Sequence, residues 1–330
     1  MTLPSIRATG MNGGMPTVSI LIPTYKRPEL LRMAIASCLA QTFQDFEIVV
    51  SDDSSDTRTA ELIESLSANL PIRYVHNVPG LGQARNVNQL FHMAAGEFLV
   101  LLHDDNFLMP SALSDLIAPL RDNPTVVASL GKQYLASHEG DILDLESKAV
   151  NERYSKTDDR ANKIQRSEWS ALAGQFPPDG YMARTAAVRS TLYRDDPEVG
   201  QACDADFGYR LSRWGDFFFV GEYTSAYRVT RDSISSRGLQ VLLSKKYFIM
   251  EKLSIPIDLE NVRRVQLKRL APVAVNGCLL TAARGKALRI LFGENYPWRR
   301  EFIKGGIQLC LALVPRVVSS LLIQRRWQFK

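Results

Sequence analysis

Phe98-Leu99-Val100-Leu101-Leu102-His103-Asp104-Asp105-Asn106 is an unbroken apolar run that ends in two adjacent acids. Such a run, bounded by polar residues, reads as a strand buried on both faces, the kind found in parallel sheets. Its tip sets two carboxylates side by side, and neighbouring like charges repel unless a cation or hydrogen-bond donors relieve them. A hard divalent cation bridging carboxylate and diphosphate oxygens would do so. A polar turn whose Asp caps the next helix is the competing reading of the same residues.

The flanking sequence repeats the pattern. Val18-Ser19-Ile20-Leu21-Ile22 is a short apolar run stopped by Pro23, and Pro28 to Gln41 carries apolar residues at helical spacing. Glu47 to Val50 reads as a strand ending in Ser51-Asp52-Asp53, Ala60 to Leu66 as a helix, Ile72 to His76 as a strand and Gly82 to Ala94 as a helix. Alternation at this spacing predicts βαβ units, a parallel sheet with helices on both faces. Ligands of such sheets sit beyond the carboxyl ends of the strands. Thr24-Tyr25-Lys26, Asp52-Asp53 and Asp104-Asp105 are therefore expected along one edge.

No Gly-x-Gly-x-x-Gly and no P-loop follow the first strand, which argues against a dinucleotide fold; Gly80 and Gly82 read as turn residues. His76, His92, His103 and His138 show no metal-ligand spacing. After Val126 to Leu130 the pattern loosens. Asn151 to Lys163 reads as a mobile surface segment, and Gln175 to Gly180 as a rigid turn. Asp204 to Leu211 reads as a helix start with Asp204 at or near its cap, and Phe217 to Val220 as a strand. From about Leu239 the chain reads as helical, with turns near Pro256, Gly285 and Pro297.

Composition bounds the class. With 330 residues, 45% of them hydrophobic, the chain can bury a large core, and disorder is not the default. Cys38, Cys203, Cys278 and Cys310 form no Cys-x-x-Cys pair, against zinc or a disulfide scaffold and in keeping with a reducing compartment. Residues 1–16 hold no apolar signal core. The net charge of +5 is unevenly spread: Met1 to Ser235 carry 22 Lys+Arg against 30 Asp+Glu, Ser236 to Lys330 carry 18 against 5. An acidic body joined to a basic end points to an anionic surface, membrane or nucleic acid.

Taken together and in order, these segments resemble the family 2 glycosyltransferases, inverting enzymes of the GT-A fold. Val18 to Tyr25 is similar to the family's opening strand, and Gln41 to Ser55 to its second-strand signature. Gly82-Gln83-Ala84-Arg85-Asn86 matches the helix start before the metal motif, and His103-Asp104-Asp105-Asn106 stands in the place of the Asp-x-Asp motif. Cys203-Asp204-Ala205-Asp206 occupies the place of the Glu-Asp that supplies the base, and Tyr227 to Ser235 resembles the motif that closes the catalytic domain. The chain departs from the family where Thr230 replaces a metal-binding His and Cys203 replaces the Glu.

The resemblance implies an α/β architecture: a GT-A fold with a Rossmann-like, mostly parallel central sheet flanked by helices, and a helical C-terminal extension. The expected domains are a tail over 1–15, a catalytic domain over 16–235 (donor half 16–106, acceptor half 107–235) and a basic extension over 236–330. It implies transfer of a sugar from a nucleotide-sugar donor, a UDP-sugar first, to a hydroxyl of a glycan or lipid-linked acceptor, in bacterial cell-surface polysaccharide synthesis. Pro23, Thr24, Tyr25, Asp53, Arg85 and Asp104 are then donor-binding candidates, Asp105 the ligand of Mg²⁺ or Mn²⁺, and Asp204 the general base, ahead of Asp206. Each residue keeps its plainer alternative: Asp53 in a capping turn, Arg85 on the surface, Asp204 as an N-cap. Acceptor contacts are expected between Trp169 and Arg184.

Residues 306–323 approach the length of a membrane span, but Pro315 and Arg316 interrupt them. A helix lying in the interface, flanked by Arg325, Arg326 and Trp327, and a helix packed on the catalytic domain are both compatible with this stretch. A cytoplasmic location, peripheral to an anionic inner leaflet, with no nucleic-acid partner, is the expectation. The rival functions are an inactive sugar-nucleotide-binding or scaffold relative and a nucleotidylyltransferase. The latter needs a phosphate-cradling Gly-rich loop where Pro23 to Pro28 has none.

Overall fold

Parallel strands with apolar cores are the frame of the protein. The computed structural model describes residues 14–67, 72–229 and 234–313, which divide by their internal contacts into two units, 14–194 with 207–229 and 195–206 with 234–313. The first opens with β1 (Val18–Thr24), α1 (Pro28–Leu39), β2 (Phe46–Asp52), α2 (Arg58–Ser67), β3 (Ile72–His76), α3 (Gln83–Met93) and β4 (Phe98–Leu101). Strands β3, β2, β1 and β4 lie side by side in that order, all parallel. Every β4 residue is buried, so the apolar run does face packing on both sides. Ile20, Ile22, Ile48, Val50, Val100 and Leu102 share one core cluster with Leu31, Ile35 and Cys38 of α1.

The sheet then changes direction. β5 (Phe107–Leu108), α4 (Ala112–Asp122), β6 (Val126–Ala136), α5 (Asp144–Arg153), β7 (Lys163–Gln165), α6 (Ser167–Ala173), β8 (Met182–Arg184) and α7 (Thr185–Thr191) follow. After α8 (Cys203–Leu211), which begins in the second unit, β9 (Asp216–Arg228) completes the sheet. β8 is antiparallel to β4 and β6, β6 and β9 are parallel, and β5 and β7 pair antiparallel with β9. The mostly parallel α/β sheet is as expected, but its second half is more regular than the sequence suggested. Residues 151–163 are not a bare surface segment: Asn151 and Lys156 are buried, and Asn151 Nδ2 donates to the Gln133 carbonyl at 2.8 Å. The Phe217 strand and the Val126 strand both run on, to Arg228 and Ala136, because their partly polar ends pair with each other.

The second unit is helical: α9 (Ile234–Lys252), α10 (Glu260–Leu280), α11 (Arg284–Leu291) and α12 (Trp298–Leu313). The first of these starts five residues earlier than the periodicity implied, and the turn expected at Gly285 falls ahead of Arg284. α9 and α10 pack closely at Gly277, where a Cβ would stand 2.1 Å from the Gln240 carbonyl oxygen. Buried Gln308 ties α12 to α10 by donating to Pro272 O and Asn276 Oδ1, both at 2.6 Å. Lys245 and Lys252 hold residues 197–198 against α9. Among the described residues no helix is long and apolar enough to cross a membrane. Thr230, Pro315, Arg316, residues 314–323, Arg325, Arg326 and Trp327 lie outside the described residues.

Candidate functional site

The carboxyl ends of β1, β2 and β4 form a rim in the first unit, and Thr24 joins its parts. The register sets Thr24 opposite Asp52, and the Thr24 carbonyl accepts from the Asp53 N–H at 3.0 Å. The Thr24 hydroxyl donates to Asp104 Oδ2 at 2.7 Å, and the Tyr25 N–H reaches the same oxygen at 3.4 Å. Pro23 precedes this junction at the end of β1 and has no N–H to give to the ladder; Tyr25 is exposed beyond it.

The turn after β2 is built from neutral donors. Asp52 is fully buried and accepts from the Ser54 N–H at 2.8 Å and the Tyr74 hydroxyl at 2.9 Å, which makes it the loop's anchor. Asp53 accepts from Asn77 Nδ2 at 3.0 Å and from the Gly82 N–H at 2.8 Å. Gly80 has no space for a side chain, since a Cβ would stand 2.9 Å from the Asp53 carbonyl oxygen, and Gly82 opens α3 at φ +84°. Arg85 follows on the first turn of α3, exposed. An ionised carboxylate accepts at about four lone-pair positions, so both Asp53 oxygens retain capacity for a ligand's N–H groups.

The turn after β4 is built differently. Arg27 Nη1 stands 2.8 Å from Asp105 Oδ2 and 3.5 Å from Asp104 Oδ1. Burial, and next the adjacent Asp105 charge, push the Asp104 carboxyl up to about 6, against the pull of Arg27 and Thr24. Three buried side chains fix the turn from behind. Asp179 Oδ2 accepts from the His103 N–H at 3.0 Å and from Asn106 Nδ2 at 2.8 Å. Asn106 Oδ1 in turn accepts from the Arg228 N–H at 3.0 Å, and Arg228 Nε donates to the Asp105 carbonyl at 3.0 Å.

Asp105 and Asp104 thus offer carboxylate oxygens from consecutive positions, the donor type hard cations take. Among the described residues no group of three or more His, Cys, Asp or Glu could hold a metal on its own. These residues fit a hard cation held by one or two carboxylates, the rest of whose shell would come from outside the protein.

Asp204 belongs to the other unit, on the first turn of α8, where its Oδ1 lies 2.7 Å from the Ala205 N–H. It is half-buried, whereas Asp206 is buried. Cys203 is buried too; burial first, then the Asp204 charge, push its thiol up to about 12, so it stays a neutral thiol at physiological pH. Of the stretch expected to meet an acceptor, Arg184 donates to the Val126 and Leu120 carbonyls.

The groups that sequence reading passed over are Arg27, Asn77, Asn86, Asp179 and Arg228. Asn86, buried in the quoted helix start, donates to the Ser51 carbonyl at 3.2 Å. Arg27 and Arg228 lay within quoted motifs but carried no local sign of a role; Asp179 sits in a Pro-Pro-Asp-Gly turn that reads as a turn and nothing more.

Residues 19–173 match the model of the family described as "Glycosyl transferase family 2". A Campylobacter jejuni GalNAc(5)-diNAcBac-PP-undecaprenol beta-1,3-glucosyltransferase is 39% identical over 105 residues, 31% of this chain and 34% of that protein. The match therefore spans about a third of that relative's length. The mannosyltransferase PcManGT of Pyrobaculum calidifontis, solved with GDP-Man and Mn²⁺, superposes with a TM-score of 0.57 at 17% identity, covering 96% of this chain and 89% of its own. S. aureus TarS 1-349 in complex with UDP-GlcNAc superposes at 0.56 and 14% identity, over 83% and 89%. At such identities the two structures speak for the fold, and it is the one already traced strand by strand. Residues 19–173 thus carry a glycosyltransferase family 2 domain by their match to its model, and the architecture is the GT-A fold.

Proposed function

We propose that this protein transfers a sugar from a nucleoside-diphosphate sugar to a hydroxyl of a glycan or lipid-linked acceptor, in bacterial polysaccharide or glycolipid synthesis. The observation that carries the reading is the Thr24 junction, which holds Asp53 and Asp104 to one strand end at hydrogen-bond distance. Asp53 accepts from the base edge of the nucleotide, a UDP-sugar in the first instance. Asp104 faces the ribose, Arg85 supports the phosphates, and Asp105 holds the Mg²⁺ or Mn²⁺. When bound, that cation offsets the negative charge that grows on the departing diphosphate.

Asp204 takes the acceptor hydroxyl's proton as its oxygen attacks the anomeric carbon from the face opposite the leaving group. Asp204→Asn keeps the shape and removes the base. Transfer is expected to fall by about 10²–10⁴-fold, while stabilisation by UDP- or GDP-sugars with Mn²⁺, read as a melting shift, persists. Full turnover by this variant would remove Asp204 from the role.

The acceptor's membrane is the partner of the second unit in this reading, at the cytoplasmic face. Phe292, Phe302 and Ile303 are each more than 70% exposed, with Arg299 and Arg300 exposed beside the latter two in α12. Apolar side chains flanked by cations suit an anionic interface. Co-sedimentation with liposomes containing phosphatidylglycerol should retain the protein at low salt and release it at high salt; no binding at low salt sinks this part.

A further inference from the structure

Arg27 stands where the charge balance of the rim is decided. Its backbone is held there by an unusual device. Lys26 adopts φ +57°, a region non-glycine residues rarely visit, and its N–H donates to Ser54 Oγ at 2.7 Å. That twist ends the segment from β1 and makes Arg27 the residue immediately before α1, whose first position is Pro28. The turn after β2 thus fixes, through Ser54, where the guanidinium beside the turn after β4 emanates. Its Nη1 meets both carboxylates of that second turn, and the pair is only partly exposed: 24% for the Arg27 side chain against 8% and 12% for Asp104 and Asp105.

We propose that Arg27 is an exchangeable counter-ion: it neutralises Asp105 until a divalent cation arrives, and then moves to the diphosphate that arrives with it. The inference rests on the donor reading above and adds a diphosphate-binding residue to it. A guanidinium never loses its proton in water, so its charge has to be relocated when a dication takes the carboxylate. A diphosphate oxygen pair is the geometry its fork matches best. Before substrate, the Arg27 guanidinium faces two carboxylates, and Arg228 lies within electrostatic reach of Asp105. With substrate, a dication and an anionic diphosphate enter together, and both the carboxylates and the new anion have a cationic partner if Arg27 shifts to the diphosphate. Cation and nucleotide therefore assist each other's binding, and linkage requires the assistance to be mutual.

Calorimetric titration of Mn²⁺ into the wild type and Arg27→Ala, each with and without UDP or GDP, tests this without any turnover. Without nucleotide the variant should bind Mn²⁺ about fivefold tighter, the size expected for removing one partly exposed competing ion pair. The gain in Mn²⁺ affinity that nucleotide brings should shrink by about the same fivefold, since the variant lacks the guanidinium that is handed over. Arg27→Lys keeps the charge without the fork and should fall between, and it serves alone if the alanine variant melts early. Equal Mn²⁺ affinity in wild type and variant without nucleotide overturns the exchange, as does an unchanged nucleotide effect. If neither protein binds Mn²⁺ even with saturating UDP or GDP, the donor reading itself falls along with it. Strong nucleotide-dependent Mn²⁺ binding that ignores Arg27 overturns the exchange alone.

Discussion

Two acidic turns lie on one rim, and they solve like-charge crowding in opposite ways. The turn after β2 surrounds Asp52 and Asp53 with neutral donors: backbone N–H groups of Ser54 and Gly82, the Tyr74 hydroxyl and the Asn77 amide. The turn after β4 sets Asp104 and Asp105 against a guanidinium, with Asp104 drawn towards protonation by its burial and its neighbour. Neutral donors fix a carboxylate's direction and leave its charge in place, which suits recognition of N–H groups on a base. A cationic partner can be exchanged for another cation, which suits a site whose charge changes during the reaction. The chemistry of each turn follows from what its neighbours can give away.

The comparison breaks first, if at all, at the isosteric pair Asp105→Asn and Asp53→Asn. Loss of the Asp105 charge should lower kcat by about 10³-fold, because the stabilisation of the leaving diphosphate is a transition-state effect. Loss of the Asp53 charge should raise the donor KM by about 10-fold to 30-fold and change kcat by less than about threefold, because base recognition is felt equally before and during reaction. Steady-state transfer over a Mn²⁺ and donor series separates the two. A reversed pattern, with Asp53→Asn hitting kcat and Asp105→Asn only KM, would show that the turns are misassigned.

What the sequence disclosed follows the same divide. In the parallel half β1, β2 and β4 each centre on a short apolar run with a polar tip close behind it, so both fold and rim can be read by walking along the chain. Asp53 and Asp104 were visible for that reason. In the half built from β6, β8 and β9, strands end in mixed residues whose burial depends on partners tens of positions away: Gln133 meets Ser225, and Asn106 meets Arg228. Lys156 shows the difficulty best. Within a charged stretch it reads as solvated, yet it is buried with Nζ 3.3 Å from Gln133 Oε1 of β6, and Gln175 Nε2 donates to the carbonyl of the preceding Ser155 at 2.9 Å. Arg27 was hidden for another reason. Its role depends on a left-handed Lys26, which no residue type at that position announces.

Lys156 also gives the smallest and most specific test of how the turn after β4 is backed. Burial pulls its ammonium down to about 7, while the charge of Asp179, the residue that holds His103 and Asn106, pulls the other way. Between about pH 7 and 10.5 the unfolded chain binds the Lys156 proton and the folded chain does not, so folding stability from this group rises with pH across that window. Below it both states are protonated, and the cost of a buried ammonium is fully present. Lys156→Met removes that cost but leaves Gln133 Oε1 without its donor, a loss of about 1–3 kcal/mol. The variant should therefore gain on wild type at pH 6, by on the order of 2 kcal/mol, and the gain should shrink or reverse by pH 9.5. Urea unfolding at the two pH values reads the difference directly. A gain that does not change with pH would mean that Lys156 is no more costly to protonate than a surface lysine, and that the support behind Asp179 is as neutral as that behind Asp53.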